Sequence, residues 1–275
     1  MGLRINTNLT ALNAHRVLSA NDNALGKSLV RLSSGLRINA ASDDAAGLAI
    51  AEKFKAQVNG LSMAIQNSED AINLLQTAEG ALSETEAILQ RMRELSVQAA
   101  NDTLQDADRE AIQAEIDQLV DEIDGIAGRT QYNSRGLLDG SITTLTFQIG
   151  ANEGQTLTVG INAMDAAGIA VQSSDLSVGN QESASAAIGA LDLAIEVVSD
   201  ERAKLGAVIN RLDHTINNLN VQRENMASSE SRIRDLDMAA EVSVMTRNQI
   251  LSQSSQAMLA QANAVPQGVL QLLRG

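Results

Sequence analysis

The chain has 275 residues with no cysteine, no tryptophan, one tyrosine and two phenylalanines, and 34 acidic against 20 basic side chains give a formal net charge of −14. Lack of cysteine excludes disulfides and thiolate chemistry, and the acidic balance argues against nucleic acid or an anionic membrane as partner. Met1-Gly2-Leu3-Arg4-Ile5-Asn6 lacks a signal peptide's apolar core, and no apolar stretch reaches the roughly eighteen residues of a membrane span, so any export is expected to proceed without a cleaved signal.

A core this poor in aromatics must be built from Leu, Ile, Val, Met and Ala along helices. The first forty residues carry a stripe at steps of three and four: Ala11, His15, Leu18, Asp22, Leu25, Leu29, Leu32 and Leu36. His15 and Asp22 weaken its first half, so this helix is marginal alone in water. Residues 39–52 turn to Ala, Gly, Ser and Asp, with Ser42 or Asp43 as expected N-cap. A second helix is predicted over about 57–100, with Val58, Leu61, Ile65, Ile72, Leu75, Leu82 and Leu89 on one face, and a third over about 105–128. After a turn-rich connector, 128–140, the period falls to two. Leu145, Phe147 and Ile149, then Leu157, Val159 and Ile161, flank the turn Gly150–Gln155 and predict a β-hairpin. Residues 163–184 are small and polar and read as a loop or weakly ordered segment.

From Ile188 onward an apolar position recurs at a step of seven: Ile188, Ile195, Ile209 and Ile216, then Val244, Leu251, Met258, Val265 and Leu272. A companion row holds Leu191, Val198, Leu205, Leu212, Leu219 and Met226. This spacing predicts helices that pack lengthwise as coils. Arg223, Glu230 and Asp237 interrupt the row, and because buried unpaired charge is costly, two coil blocks are expected, about 185–228 and 240–275. Arg202 is expected at a seam edge with its stem packed and its head in water. The fold class is therefore mainly α, an elongated coiled-coil or helical rod with a small β-hairpin. The two termini are expected to pack together or against copies of themselves.

No constellation argues for an enzyme, cofactor or metal. Gly26-Lys27-Ser28 resembles the tail of a phosphate loop, but it lies inside a helical stripe with Asn21 where a glycine is needed. His15 and His214 have no partner at ligand spacing. Asp117, Asp121, Glu122 and Asp124 are spaced as a solvated helix face, without the glycine and closing glutamate of a calcium loop.

Several segments together resemble a known family. Ile5-Asn6-Thr7-Asn8, Leu32-Ser33-Ser34-Gly35-Leu36-Arg37-Ile38-Asn39 and Asp43-Asp44-Ala45-Ala46-Gly47-Leu48-Ala49-Ile50 resemble the N-terminal signature of bacterial flagellin. Ser231-Arg232-Ile233, Leu259-Ala260-Gln261-Ala262-Asn263 and the closing segment from Val265 to Arg274 resemble its C-terminal one. The resemblance implies a structural subunit that polymerises into the extracellular flagellar filament for swimming motility. A hook–filament junction protein, or another secreted coiled-coil assembly protein, is the alternative.

Carried onto this chain, the resemblance implies a terminal coil (D0) from 1–42 and 235–275 and a spoke linker over 43–56. It implies an inner helical rod (D1) from 57–162 and 185–234, with 163–184 standing where many flagellins insert outer domains. The stripe residues Leu18, Leu25, Leu29, Leu32, Leu36, Val244, Leu251, Met258, Val265 and Leu272 are the expected filament-assembly positions, ordered fully only among neighbouring copies. The implied partners are further copies, the filament cap and hook-junction proteins, an export chaperone and the flagellar type III export apparatus. A further surface, Gln90, Arg91, Glu94, Leu95, Gln98 and Glu115, is similar to the one bound by the flagellin-sensing Toll-like receptor of hosts.

Overall fold

The computed structural model of the chain describes residues 7–174 and 176–274, with side chains described through Val265 at the C-terminal end. It contains five α-helices among these residues: α1 (Leu9–Ser34), α2 (Ala45–Ala99), α3 (Asp106–Arg129), α4 (Gln181–Arg234) and α5 (Met238–Arg274). Strand β1 (Gln131–Tyr132) pairs with β2 (Arg135–Gly136), and β3 (Thr144–Gln148) pairs with β4 (Thr156–Gly160), both antiparallel. The fold is mainly α with a small antiparallel hairpin, as the periodicities predict. The described residues fall into two compact units, a terminal unit within 1–56 and 225–275 and a central unit within 57–224.

The central unit holds a dry apolar core. Leu75, Leu82 and Leu89 of α2 are fully buried at a step of seven, and Ile116 and Ile123 of α3 repeat the step. On α4 it is the companion row that goes inside: Leu191, Val198, Leu205, Leu212 and Leu219 are buried, while Ile188, Ile195, Ile209 and Ile216 lie half-buried at its edge. Each fully buried Leu contributes about 1.5–3 kcal/mol of transfer free energy.

Helix ends are closed by side chains. The buried Arg109 donates from Nε to the Ala99 carbonyl at 3.1 Å and from Nη2 to that of Asn101 at 3.0 Å. Those carbonyls lie at the C-terminal end of α2 and just beyond it, where backbone acceptors lack helical partners and a cation is favoured. In the hairpin, Leu145 faces Val159 and Phe147 faces Leu157 across the ladder. Its turn rests on α2 at Gly60, where an added Cβ would stand 3.0 Å from that of Ala151. A small residue is required there.

Three expectations are corrected. The second helix, expected from about 57, already starts at Ala45, because the alanines there favour helix and Asp44, not Ser42 or Asp43, caps the start by accepting from Gly47 N at 2.9 Å. Residues 163–178 are not loosely held: Met164, Ile169, Val171, Leu176 and Val178 are buried. The α3 side chains satisfy this segment's backbone. Gln113 donates to the Leu176 carbonyl at 3.0 Å and accepts from Val178 N at 2.8 Å, and Asp124 accepts from Ala166 N at 2.7 Å. Their irregular spacing matches neither structural period, which hid them. Finally, the Arg202 head is not simply hydrated; it bonds Glu79 at 2.7 Å and also Glu86, joining α4 to α2.

Candidate functional site

In the terminal unit α1 and α5 pack antiparallel. Asn8 Nδ2 donates to the Ala262 carbonyl at 2.8 Å near one end, and Leu236 N donates to the Gly35 carbonyl at 3.0 Å near the other. Asn8 also caps α1 by accepting from Ala11 N. At the far end Gly35 adopts φ +70, a left-handed turn that glycine enters without steric cost. Past this turn the chain is clamped: Leu36 bridges Asp235, Arg37 N donates to the Arg234 carbonyl at 2.7 Å, and the Arg37 guanidinium reaches the Ile233 carbonyl at 2.6 Å. Arg234 in turn holds Glu52 at 2.8 Å. The residues quoted for the family resemblance around Gly35 and Ile233 thus form one joint, which spacing alone did not show.

The seam between α1 and α5 is not the apolar row expected. Leu18, Leu25 and Leu32 do face it, half-buried, but Ser28 is the residue of α1 that is buried there. From α5 the inward positions are Glu241, Met245, Asn248, Ser252, Ser255 and Leu259. Between its ends two side-chain to side-chain bonds cross it, Ser252 Oγ donating to Asp22 at 2.7 Å and Asn21 Nδ2 donating to Ser255 Oγ at 3.1 Å. The Glu241 carboxylate keeps one buried oxygen without a partner, a costly arrangement in a finished core.

The row assigned to the coil seam points outward. Val244 is 36% exposed, Leu251 44%, Met258 68% and Val265 48%, and Leu29 of α1 is 51% exposed. Seven-residue spacing places these residues on one face, but the antiparallel pairing uses another. Leu272 lies outside the described side chains. A groove of about 350 Å³ opens between the helices, lined by Leu9, Asn13, Ala14, Val17, Ser255 and Met258 among others. Thirteen of the eighteen exposed large hydrophobics among the described residues belong to the terminal unit, whereas Ile38 and Ala51 are its only buried apolar residues. The unit is built with polar contacts inside and apolar side chains outside.

The second surface lies on α2 and α3 of the central unit. Arg91 donates to Glu115 Oε1 at 2.9 Å and to Glu94 at 3.4 Å, and all three are exposed with Gln90 and Gln98. The bond to Glu115, ahead of that to Glu94, raises the Arg91 pKa above its ordinary value, so the guanidinium stays charged. Arg93, two residues along, binds Asp192 of α4 at 2.6 Å, which raises its pKa likewise. Leu95 departs from the expected contact set: at 3% exposure it belongs to the core beside Met92 and Ala99 and supports the patch from beneath. Among the described residues no three His, Cys, Asp or Glu side chains gather to hold a metal ion, and no helix is long and apolar enough to cross a membrane.

Comparison with known proteins agrees with this architecture. Residues 5–143 match the model of the bacterial flagellin N-terminal helical region, and residues 188–273 that of the C-terminal helical region. The chain is 51% identical to a flagellin of Bacillus subtilis (strain 168), over 99% of this chain and 100% of that protein. It is also 51% identical to a flagellin of Halalkalibacterium halodurans, over 98% and 99% respectively. The crystal structure of Bacillus cereus flagellin superposes with a TM-score of 0.50 at 38% identity, covering 60% of this chain and 94% of that one. The chain belongs to the bacterial flagellin family of structural filament proteins, and it is not an enzyme.

Proposed function

We propose that this flagellin polymerises into the extracellular flagellar filament by burying the outer apolar rows of its terminal unit, D0, against further copies. The observation that carries the reading is the inverted burial of that unit, with Ser, Asn and Glu in the α1–α5 seam and Leu29, Val244, Leu251, Met258 and Val265 outside. An apolar face of this kind on a soluble chain marks an interaction surface. Removing these side chains from water supplies the free energy of assembly, at about 25 cal/mol per Å² of apolar area. Changing Leu251 to Asp should raise the concentration needed for sedimentable filaments by an order of magnitude or more, because a charge would then be buried without a partner. Filaments forming at the parent concentration would contradict the reading. At the filament ends the same faces meet the cap and hook-junction proteins. Before assembly an export chaperone shields them, and the type III export apparatus passes the chain without a cleaved signal.

A second reading concerns the exposed patch of Gln90, Arg91, Glu94, Gln98 and Glu115. It serves as the site for the flagellin-sensing Toll-like receptor, with the receptor engaging the Arg91–Glu115 pair. Arg91→Asp in monomeric protein should reduce receptor signalling at least about tenfold, since it places a third carboxylate between Glu94 and Glu115. Unchanged signalling would remove this reading and leave the assembly reading untouched.

A further inference from the structure

We propose that Met258 is an oxidation site through which peroxide controls entry of the free subunit into the filament. The inference rests on the assembly reading, because it requires the outer row of α5 to be covered by another copy. Met258 is the most exposed large hydrophobic side chain among the described residues, and it lines the groove between α1 and α5 beside Leu9 and Val17. The other described members of its row, Val244, Leu251 and Val265, are aliphatic and inert to oxidants. Only this position brings a reactive thioether to the face.

The chemistry is a two-electron transfer to hydrogen peroxide. The Met258 sulfur attacks one peroxide oxygen, the O–O bond breaks, a sulfoxide forms and the second oxygen leaves as water. Sulfur is oxidised and peroxide reduced, and nothing further is consumed. The product exchanges a flexible apolar group for a polar acceptor that keeps its hydration in the free subunit. A neighbouring copy closing over the groove must strip that hydration and supplies apolar surface in return, which is unfavourable. Met92 and Met164, buried in the central unit, are sheltered from the same reagent. Met63 and Met238 are exposed and react too, but neither lies on the seven-step row or lines this groove.

The test uses the full chain, treated with hydrogen peroxide until about half of Met258 is oxidised, then quenched and polymerised. Filaments are separated from free subunits, and the Met258 sulfoxide in each is read by peptide mass spectrometry. The expected result is about tenfold enrichment of Met258 sulfoxide among the subunits left in solution, with Met63 sulfoxide equal in both fractions. Equal partition of Met258 sulfoxide overturns the proposal. A Met258→Leu chain, each sample scored against its own untreated control, should lose little polymerisation on treatment; a loss as large as the parent's overturns it as well. Peroxide applied to preformed filaments separates the two ideas. If Met258 there reacts as fast as in free subunits, the row is not covered and the assembly reading fails. If Met258 is protected yet its sulfoxide partitions equally, only the oxidation proposal fails.

Discussion

The terminal and central units solve the burial problem in opposite ways. In the central unit leucines and isoleucines at helical spacing meet each other, and polar side chains are spent on closing helix ends and pinning the 163–178 segment. In the terminal unit the meeting faces carry Asn21, Ser28, Asn248, Ser252 and Ser255, and the large apolar side chains face away. Both buried side-chain atoms without a hydrogen-bond partner among the described residues, Arg234 Nε and Glu241 Oε1, are also there. Charge divides in the same way. Residues 57–224 hold 26 acidic and 9 basic side chains, a net −17, while residues 1–56 and 225–275 hold 8 acidic and 11 basic ones, a net +3. The lesson is that one unit closes an apolar core within a single chain, and the other leaves its apolar rows uncovered, which is the contrast the assembly proposal rests on.

The strongest way to break this comparison is amide hydrogen exchange on the free subunit. Core amides of α2 and α4 should exchange only through global opening, at a cost of about 5–15 kcal/mol. Amides of α1 and α5 should exchange orders of magnitude faster, and equal protection over 9–34 and 238–265 would end the contrast. Truncation sharpens it next. Leu89→Ala, in the central core, should lower the stability of that unit by about 2–5 kcal/mol in thermal or urea unfolding. Leu251→Ala should shift the same measurement by no more than about 0.5 kcal/mol, and appear instead as a higher polymerisation threshold.

Salt probes the charge division. The net −17 makes central units of neighbouring copies repel, and raising salt shortens the screening length from about 10 Å at 0.1 M to about 3 Å at 1 M. Added sodium chloride should therefore lower the polymerisation threshold several-fold, and a threshold that rises with salt would show attraction between charges to dominate instead.

The smallest effect belongs to Asp43, beside the start of α2. Its carboxylate accepts from Ala40 N and Asn39 N, each at 3.2 Å, and the bond from Ala40, then that from Asn39, holds its pKa below the usual value. A group depressed in this way stabilises the fold above its unfolded pKa of about 3.9 and loses that contribution as pH falls through the lower folded value. Asp43→Asn should speed exchange at the Asn39 and Ala40 amides near pH 7. The difference from the parent should fade in acid below about pH 4. A difference that persists unchanged at low pH would mean the carboxylate charge is not its source.

Much of this protein is written in local pattern. Helical spacing located α1, α3, the coil blocks around α4 and α5, and the interruption near Asp237; alternation located β3 and β4; and the segments around Gly35 and Ile233 pointed to the flagellin family. The positions Gln90, Arg91, Glu94, Gln98 and Glu115 were picked out by resemblance, and the fold exposes all five. What pattern could not show is which face of a stripe is used. Leu95 shares a motif with Arg91 yet lies in the core, and Val244, Leu251 and Met258 repeat as regularly as Leu191, Val198 and Leu205 yet face outward. The bonds of Arg109 to the Ala99 carbonyl and of Arg202 to Glu79 were likewise hidden, since those partners lie 10 and 123 positions away.

The sequence by itself determined which segments form the main helices and the β3–β4 hairpin, how their apolar residues are spaced, and which family the chain resembles, because these depend on backbone preference and residue order over short spans. Tertiary structure decided which stripe is core, which is left exposed, and how the connector and the Gly35 joint are held. A seven-residue period says only that side chains share a face; what that face meets is set by contacts between segments distant in the chain.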